Sequence, residues 1–372
     1  MKRILFSLCF SFIVFVSVAQ QQEYLYFQYD SLNRVYARYV PTVYDGSTAV
    51  PLVICLHGLG DTITNFVNIG MNYVADTANF IVLTPQAVSS SFGTAWNSGA
   101  SYYGYVLNGN VDDSGFINAL IDSTEANYNI DTNRIFVTGF SMGGFMSNRL
   151  ACDLNSRIAA IASVSGTIGT SFNPGTPNPI PVCHFHGTAD GTVAYTNDAY
   201  GMDAEELVNF WVGVDSCNVV PIIDSIPDIA ADGKNIVHYT YKNGNNGTQV
   251  EFYKVIGGDH EWLVQPTNDI SYTTEIWKFF NKFPMQNTAI HSEKTNDFSF
   301  YPNPAKDLLY LSFDKYMKGE LAVFNQIGVL VKTISVNGIN QTLNIADYSQ
   351  GIYFLRYSDS ITQITKRFVV VK

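Results

Sequence analysis

Six short and continuous apolar runs between residues 51 and 258 most constrain the fold of this 372-residue chain. They are PLVICLH (51–57), FIVLTP (80–85), RIFVTGF (134–140), IAAIASVSG (158–166), IPVCHFHG (180–187) and VEFYKVIGG (250–258). A continuous apolar run favours a strand that is buried on both faces, as in a parallel sheet. Helix-like segments separate several of the runs or follow them, at 115–128, 142–152, 203–214 and 271–283. This alternation predicts an α/β fold, a mostly parallel sheet with helices on both faces.

Two further segments flank this series. The segment EYLYFQYDSLNRVYARYVP (23–41) alternates aromatic and polar residues around Ser-Leu-Asn, which predicts an antiparallel hairpin. Residues 284–297 are polar and without periodicity, so we predict a linker there, and residues 298–372 contain short alternating strands typical of a small β-sandwich-like domain. The charge changes as well, because residues 20–298 contain 11 Lys+Arg and 27 Asp+Glu, whereas residues 299–372 contain 8 and 5. We therefore predict two domains, 20–283 and 298–372.

The N-terminus has the pattern of a signal peptide. Lys2 and Arg3 precede an apolar run over 4–18, and Ser-Val-Ala at 17–19 offers the small residues that a signal peptidase recognises. The run is short for a membrane span, so we expect cleavage after Ala19 and a mature chain that is exported and has no membrane span.

Charge and cysteine content narrow the function. The net charge of −11 argues against a nucleic-acid partner, which would require a basic face. Cys55, Cys152, Cys183 and Cys217 remain after the signal peptide, and no CxxC spacing indicates a metal site. Export permits disulfides, and four cysteines allow three pairings. The sequence leaves open whether these thiols are paired or free.

A glycine-flanked serine is the strongest chemical motif. Gly139-Phe140-Ser141-Met142-Gly143 fits G-x-S-x-G, the nucleophile elbow, and stands between a predicted buried strand and a predicted helix. Side chains at either glycine would collide with the neighbouring backbone in so sharp a turn. The helix N-terminus favours developing negative charge, and we expect the N–H of Met142 to be an oxyanion-hole donor.

A serine nucleophile needs a base and a group that orients the base. In this fold the chain order is Ser, then Asp or Glu, then His. His260 follows the last core strand on a glycine-containing loop, and Asp190 follows the strand at 180–186 after a short turn. We predict Ser141, Asp190 and His260 as catalytic residues. The other histidines after the serine fit structural, surface or linker positions: His184, His186, His238 and His291.

Two loops complete the predicted site. CLHGLGD (55–61) ends the first long core strand, and we expect its Leu59 N–H, with Gly60 as the alternative, to be the second oxyanion donor. His57 in the same loop fits a structural role. Asp112 and Asp113 fit the start of a helix, where a carboxylate caps free N–H groups, better than a metal site.

Several motifs in the same order resemble one family. LHGLGD, TAWNSG, VDDSGF, NIDTNRIFVTGFSMGGFMSNRLAC, RIAAIASVSG, HGTADGTVAY and GGDHEW together resemble the secreted polyhydroxybutyrate-depolymerase and feruloyl-esterase-like group of α/β-hydrolases, over residues 30–283. The resemblance implies ester hydrolysis by the serine triad, with no cofactor or metal. It also implies that Trp96, Asn97 and Trp262 bind substrate. One departure is Asp259, which stands where the group often has a third glycine before the histidine.

The C-terminal segment resembles a different family. YPNPA (301–305), NQIGVLV (325–331) and GIYFLR (351–356) are similar to the C-terminal sorting domain of the type IX secretion system, over 298–372. This resemblance implies recognition by that secretion machinery and passage across an outer membrane. The alternative is a carbohydrate-binding module, which would need an exposed row of aromatics. Tyr353, Phe354 and Tyr357 do not form an obvious row, because Phe354 alternates away from the other two.

The sequence as a whole predicts a secreted serine carboxylesterase. Its expected substrates are feruloyl or acetyl esters of plant cell-wall polysaccharide, or a polyester of the polyhydroxyalkanoate type. A serine peptidase of the same fold and a non-catalytic binding or adhesion protein are the alternatives. The sequence leaves the acyl group, the alcohol and the oligomeric state open.

Overall fold

A computed structural model describes residues 21–102, 104–285, 298–326, 329–359 and 363–372. The chain divides into two compact units, residues 1–286 and 287–372. The predicted signal peptide (1–19), most of the predicted linker and His291 lie outside the described residues.

The described residues of the first unit form a large sheet with helices on both faces. The strands of this unit are β1 (Gln21–Tyr29), β2 (Leu32–Val40), β3 (Val50–Leu56), β4 (Ile81–Pro85), β5 (Val88–Ser90), β6 (Gly93–Ala95), β7 (Ser101–Tyr102), β8 (Tyr105–Val106), β9 (Ile130–Phe140), β10 (Ala160–Val164), β11 (Val182–Gly187), β12 (Ile222–Ser225), β13 (Asn235–Tyr241) and β14 (Val250–Ile256). Strands β5 and β6, and likewise β7 and β8, form small two-stranded sheets apart from the large one. Its helices are α1 (Ile63–Phe66), α2 (Met71–Ala78), α3 (Asp113–Asn127), α4 (Met142–Asp153), α5 (Ala204–Asp215) and α6 (Tyr272–Phe280), with a short 3-10 turn at Asn245–Gly247.

The ten-stranded sheet has the order β1-β2-β4-β3-β9-β10-β11-β14-β13-β12. The six central strands from β4 to β14 are parallel to one another, and they are the six apolar runs of the sequence. Along β3, Leu52 and Ile54 pack into one core cluster, whereas Val53 and Cys55 pack into another. Successive side chains of a strand point to opposite faces, so both faces of this strand are buried. The α/β prediction is confirmed.

Helices cover the two faces unequally. Residues of α3, α4 and α5 belong to the first core cluster, and residues of α2 and α6 belong to the second. The four predicted helices are present as α3 to α6, although α6 ends at Phe280, ahead of the predicted 283. Asp112 caps α3, since its carboxylate accepts the N–H of Gly115 at 2.9 Å. Asp113 instead forms a buried ion pair with Arg34 at 2.7 Å.

The N-terminal hairpin is also present. Strands β1 and β2 pair antiparallel, with Tyr29 opposite Leu32, so the loop consists of Asp30 and Ser31. These residues have φ values of 44° and 62°, the left-handed conformation that two-residue hairpin loops favour. The turn therefore lies slightly ahead of the Ser-Leu-Asn centre expected from the alternation.

The second unit contains antiparallel strands. They are β15 (Phe298–Tyr301), β16 (Leu308–Asn325), β17 (Leu330–Asn344), β18 (Gly351–Ser358) and β19 (Gln363–Val370). The short alternating segments LLYLSF (308–313) and ELAVFN (320–325) of the sequence belong to one strand, β16, whose pairing with β17 shifts register between Ser312 and Met317. Phe313, before this irregularity, packs on Tyr357 of β18 with ring centroids 5.5 Å apart. The five strands belong to one sheet, and both halves of β16 contribute to one core.

The aromatics considered for carbohydrate binding do not form a surface row. Tyr353 and Tyr357 are buried in the core of the second unit, so neither presents a ring face to solvent. Within the part of the chain that the structure describes, no helix is long and apolar enough to cross a membrane.

Candidate active site

The strand-to-helix corner at Ser141 requires its glycines. Ser141 lies between β9 and α4 with φ 54° and ψ −121°, a conformation that is strained for a residue with a side chain. A Cβ atom on Gly139 would lie 2.2 Å from the carbonyl oxygen of Gly143, and one on Gly143 would lie 2.0 Å from that of Leu56. Only glycine fits at these two positions, so the sequence motif follows from close approach of backbone.

Asp190 and His260 are hydrogen-bonded to each other. Asp190 follows β11 and His260 follows β14, two neighbouring parallel strands whose carboxyl ends meet at the same edge of the sheet. The Nδ1 atom of His260 lies 2.8 Å from Oδ2 of Asp190. Oδ1 of Asp190 accepts the backbone N–H groups of Thr192 and Val193, each at 2.9 Å. Both carboxylate oxygens therefore have defined partners.

The surroundings of Asp190 favour its ionised form. Burial alone would raise its pKa, but the hydrogen bond from His260 and those from the backbone amides outweigh burial and lower the pKa below its usual value. An ionised carboxylate can only accept, so Nδ1 of His260 carries the proton in the neutral ring. The Nε2 atom is then left unprotonated, as a general base requires.

A cavity of about 540 Å³ connects the serine and the histidine, because Ser141 and His260 both line it. Phe140 also lines this cavity and packs on the His260 ring, with centroids 4.7 Å apart. The side chain of His260 is 15% exposed, whereas that of Asp190 is fully buried. The imidazole of His260 therefore faces the cavity, and the carboxylate of Asp190 lies behind it.

The predicted oxyanion donors also line the cavity. Met142 is the first residue of α4, and Leu59 lies in the loop after β3. Gly60, the alternative donor, gives its N–H to the carbonyl of Thr94 at 2.8 Å, so Leu59 is the better candidate.

His57 holds this loop in place. Its Nε2 atom accepts the backbone N–H of Ala87 at 3.0 Å, so Nδ1 carries the proton and donates to the carbonyl of Gly58 at 2.7 Å. Burial lowers the pKa of His57, which keeps the ring neutral. With both nitrogens engaged, His57 has the structural role expected from the sequence.

The structure does not bring the three residues expected at the substrate cleft into the cavity. Trp96 is fully buried and donates its indole N–H to the carbonyl of His57 at 2.9 Å. The Asn97 side chain donates to two backbone carbonyls, at 3.1 and 2.9 Å, and its N–H donates to Asp113 at 2.7 Å. Trp262 packs on Phe140 from behind the cavity wall. None of the three is among the residues that line the cavity.

The sequence patterns did not predict the apolar wall of the cavity. Ala100, Phe145 and Val193 form a small buried cluster, against which the half-buried Tyr200 packs, and all four line the cavity. Phe145 could have been found, since it lies one helical turn after Ser141. Ala100 lies in the loop between β6 and β7, and Val193 and Tyr200 lie in the loop between β11 and α5; neither loop carries a local pattern.

Other polar groups near the site have structural partners. Oδ1 of Asp259 accepts the N–H of His260 at 2.8 Å and that of Gly191 at 3.3 Å, so it joins the two loops instead of orienting the imidazole. His238 pairs with Glu251 at 2.9 Å. The cysteines left open by the sequence are free thiols in the structure: Cys55, Cys152, Cys183 and Cys217.

One acidic group among the described residues is close enough to share a cation. It consists of Asp228, Asp232 and Asp269. Asp269 accepts the N–H groups of Ile229 and Ala230, at 2.6 and 2.7 Å, and Asp232 accepts from Asn268 at 2.6 Å. None of the three carboxylates lines the cavity, so the group plays no part in the chemistry described above.

Two family models match separate parts of the chain. The phospholipase/carboxylesterase model matches residues 41–211, which include Ser141 and Asp190. The secretion-system C-terminal sorting domain model matches residues 299–371 and indicates export.

Two curated relatives are similar to the esterase-like part of the chain. A poly(3-hydroxyalkanoate) depolymerase C from Paucimonas lemoignei is 26% identical over 249 residues, covering 58% of this chain and 56% of its own. Feruloyl esterase D from Neurospora crassa is 30% identical over 178 residues, covering 47% of this chain and 57% of its own. The chain thus spans just over half the length of these two relatives.

The fold has a counterpart of known structure. An acetyl xylan esterase from Aspergillus awamori has a TM-score of 0.50 and 16% identity, covering 70% of this chain and 99% of its own. The first unit therefore has the α/β-hydrolase fold and is similar in sequence to a poly(3-hydroxyalkanoate) depolymerase and a feruloyl esterase, while residues 299–371 match the model of a secretion-system C-terminal sorting domain.

Proposed function

We propose that the chain is an exported serine carboxylesterase, with Ser141 as nucleophile, His260 as general base and Asp190 as the residue that orients the base. The observation that carries this proposal is the 2.8 Å hydrogen bond between Asp190 and His260, whose ring lines the same cavity as Ser141. The order of the three residues along the chain is that of the α/β-hydrolase triad.

The reaction follows from these positions. Nε2 of His260 takes the hydroxyl proton of Ser141 as the oxygen attacks the ester carbonyl. The N–H groups of Met142 and Leu59 stabilise the oxyanion, and loss of one such donor costs about 100–1000-fold in rate. His260 then protonates the departing alcohol, and a water molecule, activated by the same ring, releases the acid from Ser141.

The substrate class rests on the relatives and on the cavity. The relatives are named for poly(3-hydroxyalkanoate) and for feruloyl esters, and the apolar cluster of Ala100, Phe145 and Val193 suits an uncharged acyl group. The proposed substrates are feruloyl or acetyl esters of cell-wall polysaccharide, or a polyhydroxyalkanoate polyester. No cofactor takes part in the proposed chemistry.

The proposed domain organisation serves export. A signal peptide at 1–19 directs the chain across the inner membrane, residues 20–283 form the catalytic domain, and a linker at 284–297 leads to the C-terminal domain at 298–372. The sorting-domain match supports recognition of that domain by type IX secretion machinery, with an extracellular or cell-surface destination.

The test is turnover by the full chain and by Ser141→Ala. p-Nitrophenyl acetate, butyrate and octanoate report the acyl preference, and methyl ferulate reports release of ferulate. Ser171→Ala is a matched control, because Ser171 is exposed and does not line the cavity. We expect turnover by the wild type and by Ser171→Ala, and none above background by Ser141→Ala.

Two results would contradict the proposal. Turnover of amide substrates without any ester would indicate a peptidase. Ester turnover that persists in Ser141→Ala would remove the serine from the mechanism.

A further inference from the structure

A buried chain of hydrogen bonds leads from the centre of the sheet to the Asp190 loop. The hydroxyl of Ser163 on β10 lies 2.8 Å from Nδ1 of His184 on β11. Nε2 of His184 lies 3.1 Å from Nδ1 of His186, and Nε2 of His186 lies 2.9 Å from the carbonyl oxygen of Val193. Ser163 and the two histidines are fully buried. The reaction proposed above uses none of these three side chains.

The carbonyl of Val193 determines where each proton lies along this series of hydrogen bonds. A carbonyl oxygen only accepts, so Nε2 of His186 must carry a proton. Burial lowers the pKa values of both histidines and keeps the rings neutral, so Nδ1 of His186 is an acceptor and receives the Nε2 proton of His184. Nδ1 of His184 then accepts from the hydroxyl of Ser163. The hydrogen bonds therefore all run in one direction, from Ser163 towards Val193, and each imidazole ring has one tautomer.

Val193 connects the end of this chain to Asp190. Its carbonyl accepts from His186, while its N–H donates to Oδ1 of Asp190 at 2.9 Å. The Nε2 atom of His186 also lies 3.6 Å from Oδ2 of Asp190, the oxygen that His260 uses. This distance exceeds a hydrogen bond, but the N–H dipole at that position favours a negative charge on the carboxylate.

We propose that His186, its tautomer fixed by the carbonyl of Val193, is a positioning residue that holds the Val193 peptide and thereby the carboxylate of Asp190 against His260. This inference rests on the proposed function, in which Asp190 orients the general base. Without the His186 contact, the 190–193 loop loses its only described side-chain anchor on the Val193 carbonyl. A displacement of the orienting group by about 1 Å is enough to cost on the order of 100-fold in rate.

Three substitutions separate positioning from packing. His186→Leu places an apolar side chain of similar size at this position but removes the hydrogen-bond donor to the carbonyl of Val193. His186→Gln keeps an N–H donor close to the place of Nε2. Ser163→Ala is the matched control, since it removes one buried hydrogen bond at the far end of the chain and leaves the contact between His186 and Val193 in place.

The experiment combines kinetics with a readout that does not depend on turnover. Using p-nitrophenyl butyrate and the full chain, we expect kcat of His186→Leu to fall by about 100-fold with KM unchanged. We expect His186→Gln to recover most of this loss and Ser163→Ala to keep the wild-type kcat. In proton NMR, the downfield resonance of the His260 Nδ1 proton should be present in the wild type, His186→Gln and Ser163→Ala, and shifted or absent in His186→Leu.

Several outcomes would overturn the inference. Wild-type kcat together with an unchanged His260 resonance in His186→Leu would refute it. An equal loss of kcat in Ser163→Ala and His186→Leu would show a general effect of core packing. If the wild type itself hydrolysed no ester, the proposed function would fail, and the NMR comparison alone would decide whether His186 holds the pair of Asp190 and His260 together.

Discussion

Replacing Asp190 by Asn tests how the base is oriented. Oδ1 of Asp190 accepts two backbone N–H groups, from Thr192 and Val193, whereas Oδ2 accepts from Nδ1 of His260. In Asp190→Asn, the amide oxygen takes the Oδ1 position, because only an acceptor fits the two backbone donors. The amide NH₂ then faces His260, so Nδ1 must accept and the ring proton moves to Nε2.

This change of tautomer sets the size of the effect. A protonated Nε2 cannot accept the proton of Ser141, and a serine triad with the wrong tautomer loses about 10⁴-fold in kcat. This loss corresponds to about 5.4 kcal/mol of transition-state stabilisation, at roughly 1.36 kcal/mol for each factor of ten. The substitution keeps the two backbone hydrogen bonds, so we expect little change in folding stability or in KM.

The assay is steady-state hydrolysis of p-nitrophenyl butyrate, with urea unfolding as the check on stability. Asp259→Asn is the matched control, because an amide oxygen there can still accept the N–H groups of His260 and Gly191. We expect this control to keep kcat within a factor of a few. If Asp190→Asn retained more than about one tenth of the wild-type kcat, another group would have to orient the base.

Three further predictions concern the scaffold. Gly143→Ala should prevent folding of the elbow, because the new Cβ atom would lie 2.0 Å from the carbonyl oxygen of Leu56. The yield of soluble protein measures this loss of folding, and a well-folded, active variant would contradict the prediction. Asp113→Ala should lower the free energy of unfolding in urea by about 3–5 kcal/mol, since it leaves the buried Arg34 unpaired, and a loss below about 1 kcal/mol would argue against the ion pair. Burial holds the pKa of His184 well below its usual value, so below about pH 6.5 the unfolded chain takes up a proton that the folded chain does not. As the pH is lowered from about 6.5, the free energy of unfolding in urea should therefore fall by up to about 1.4 kcal/mol per pH unit for this group. A free energy of unfolding that increases as the pH is lowered over that range would contradict this prediction.

The sheet was predictable because its strands have a strong local pattern. The central strands are buried on both faces, and a run such as PLVICL shows this directly, without any knowledge of its neighbours. The elbow was predictable for a related reason. Gly139 and Gly143 are needed where backbone meets backbone, and the required conformation of Ser141 follows from the motif itself.

The cavity wall could not be derived in the same way. Whether an aromatic residue reaches a cavity depends on contacts that are distant in sequence. Trp96 is buried because its indole N–H meets the carbonyl of His57, 39 residues earlier. Val193 and Tyr200 of the loop between β11 and α5 both line the cavity, and no periodicity in the sequence marks those positions.

The second unit shows a similar limit. Its alternating residues predicted strands correctly, but two predicted strands are joined in β16. A register irregularity between Ser312 and Met317 lets one strand continue past residues that locally look like a turn. Local pattern therefore indicates that a strand exists more reliably than where the strand ends.

Covalent trapping of the nucleophile tests the central claim most directly. The full chain would be incubated with diethyl p-nitrophenyl phosphate, which phosphorylates an activated serine, and then examined by intact mass and peptide mapping. The account predicts one diethylphosphoryl adduct, on Ser141, with loss of ester turnover in proportion to labelling and no adduct in Ser141→Ala. An adduct on a different residue, or full labelling of Ser141 with turnover unchanged, would contradict it.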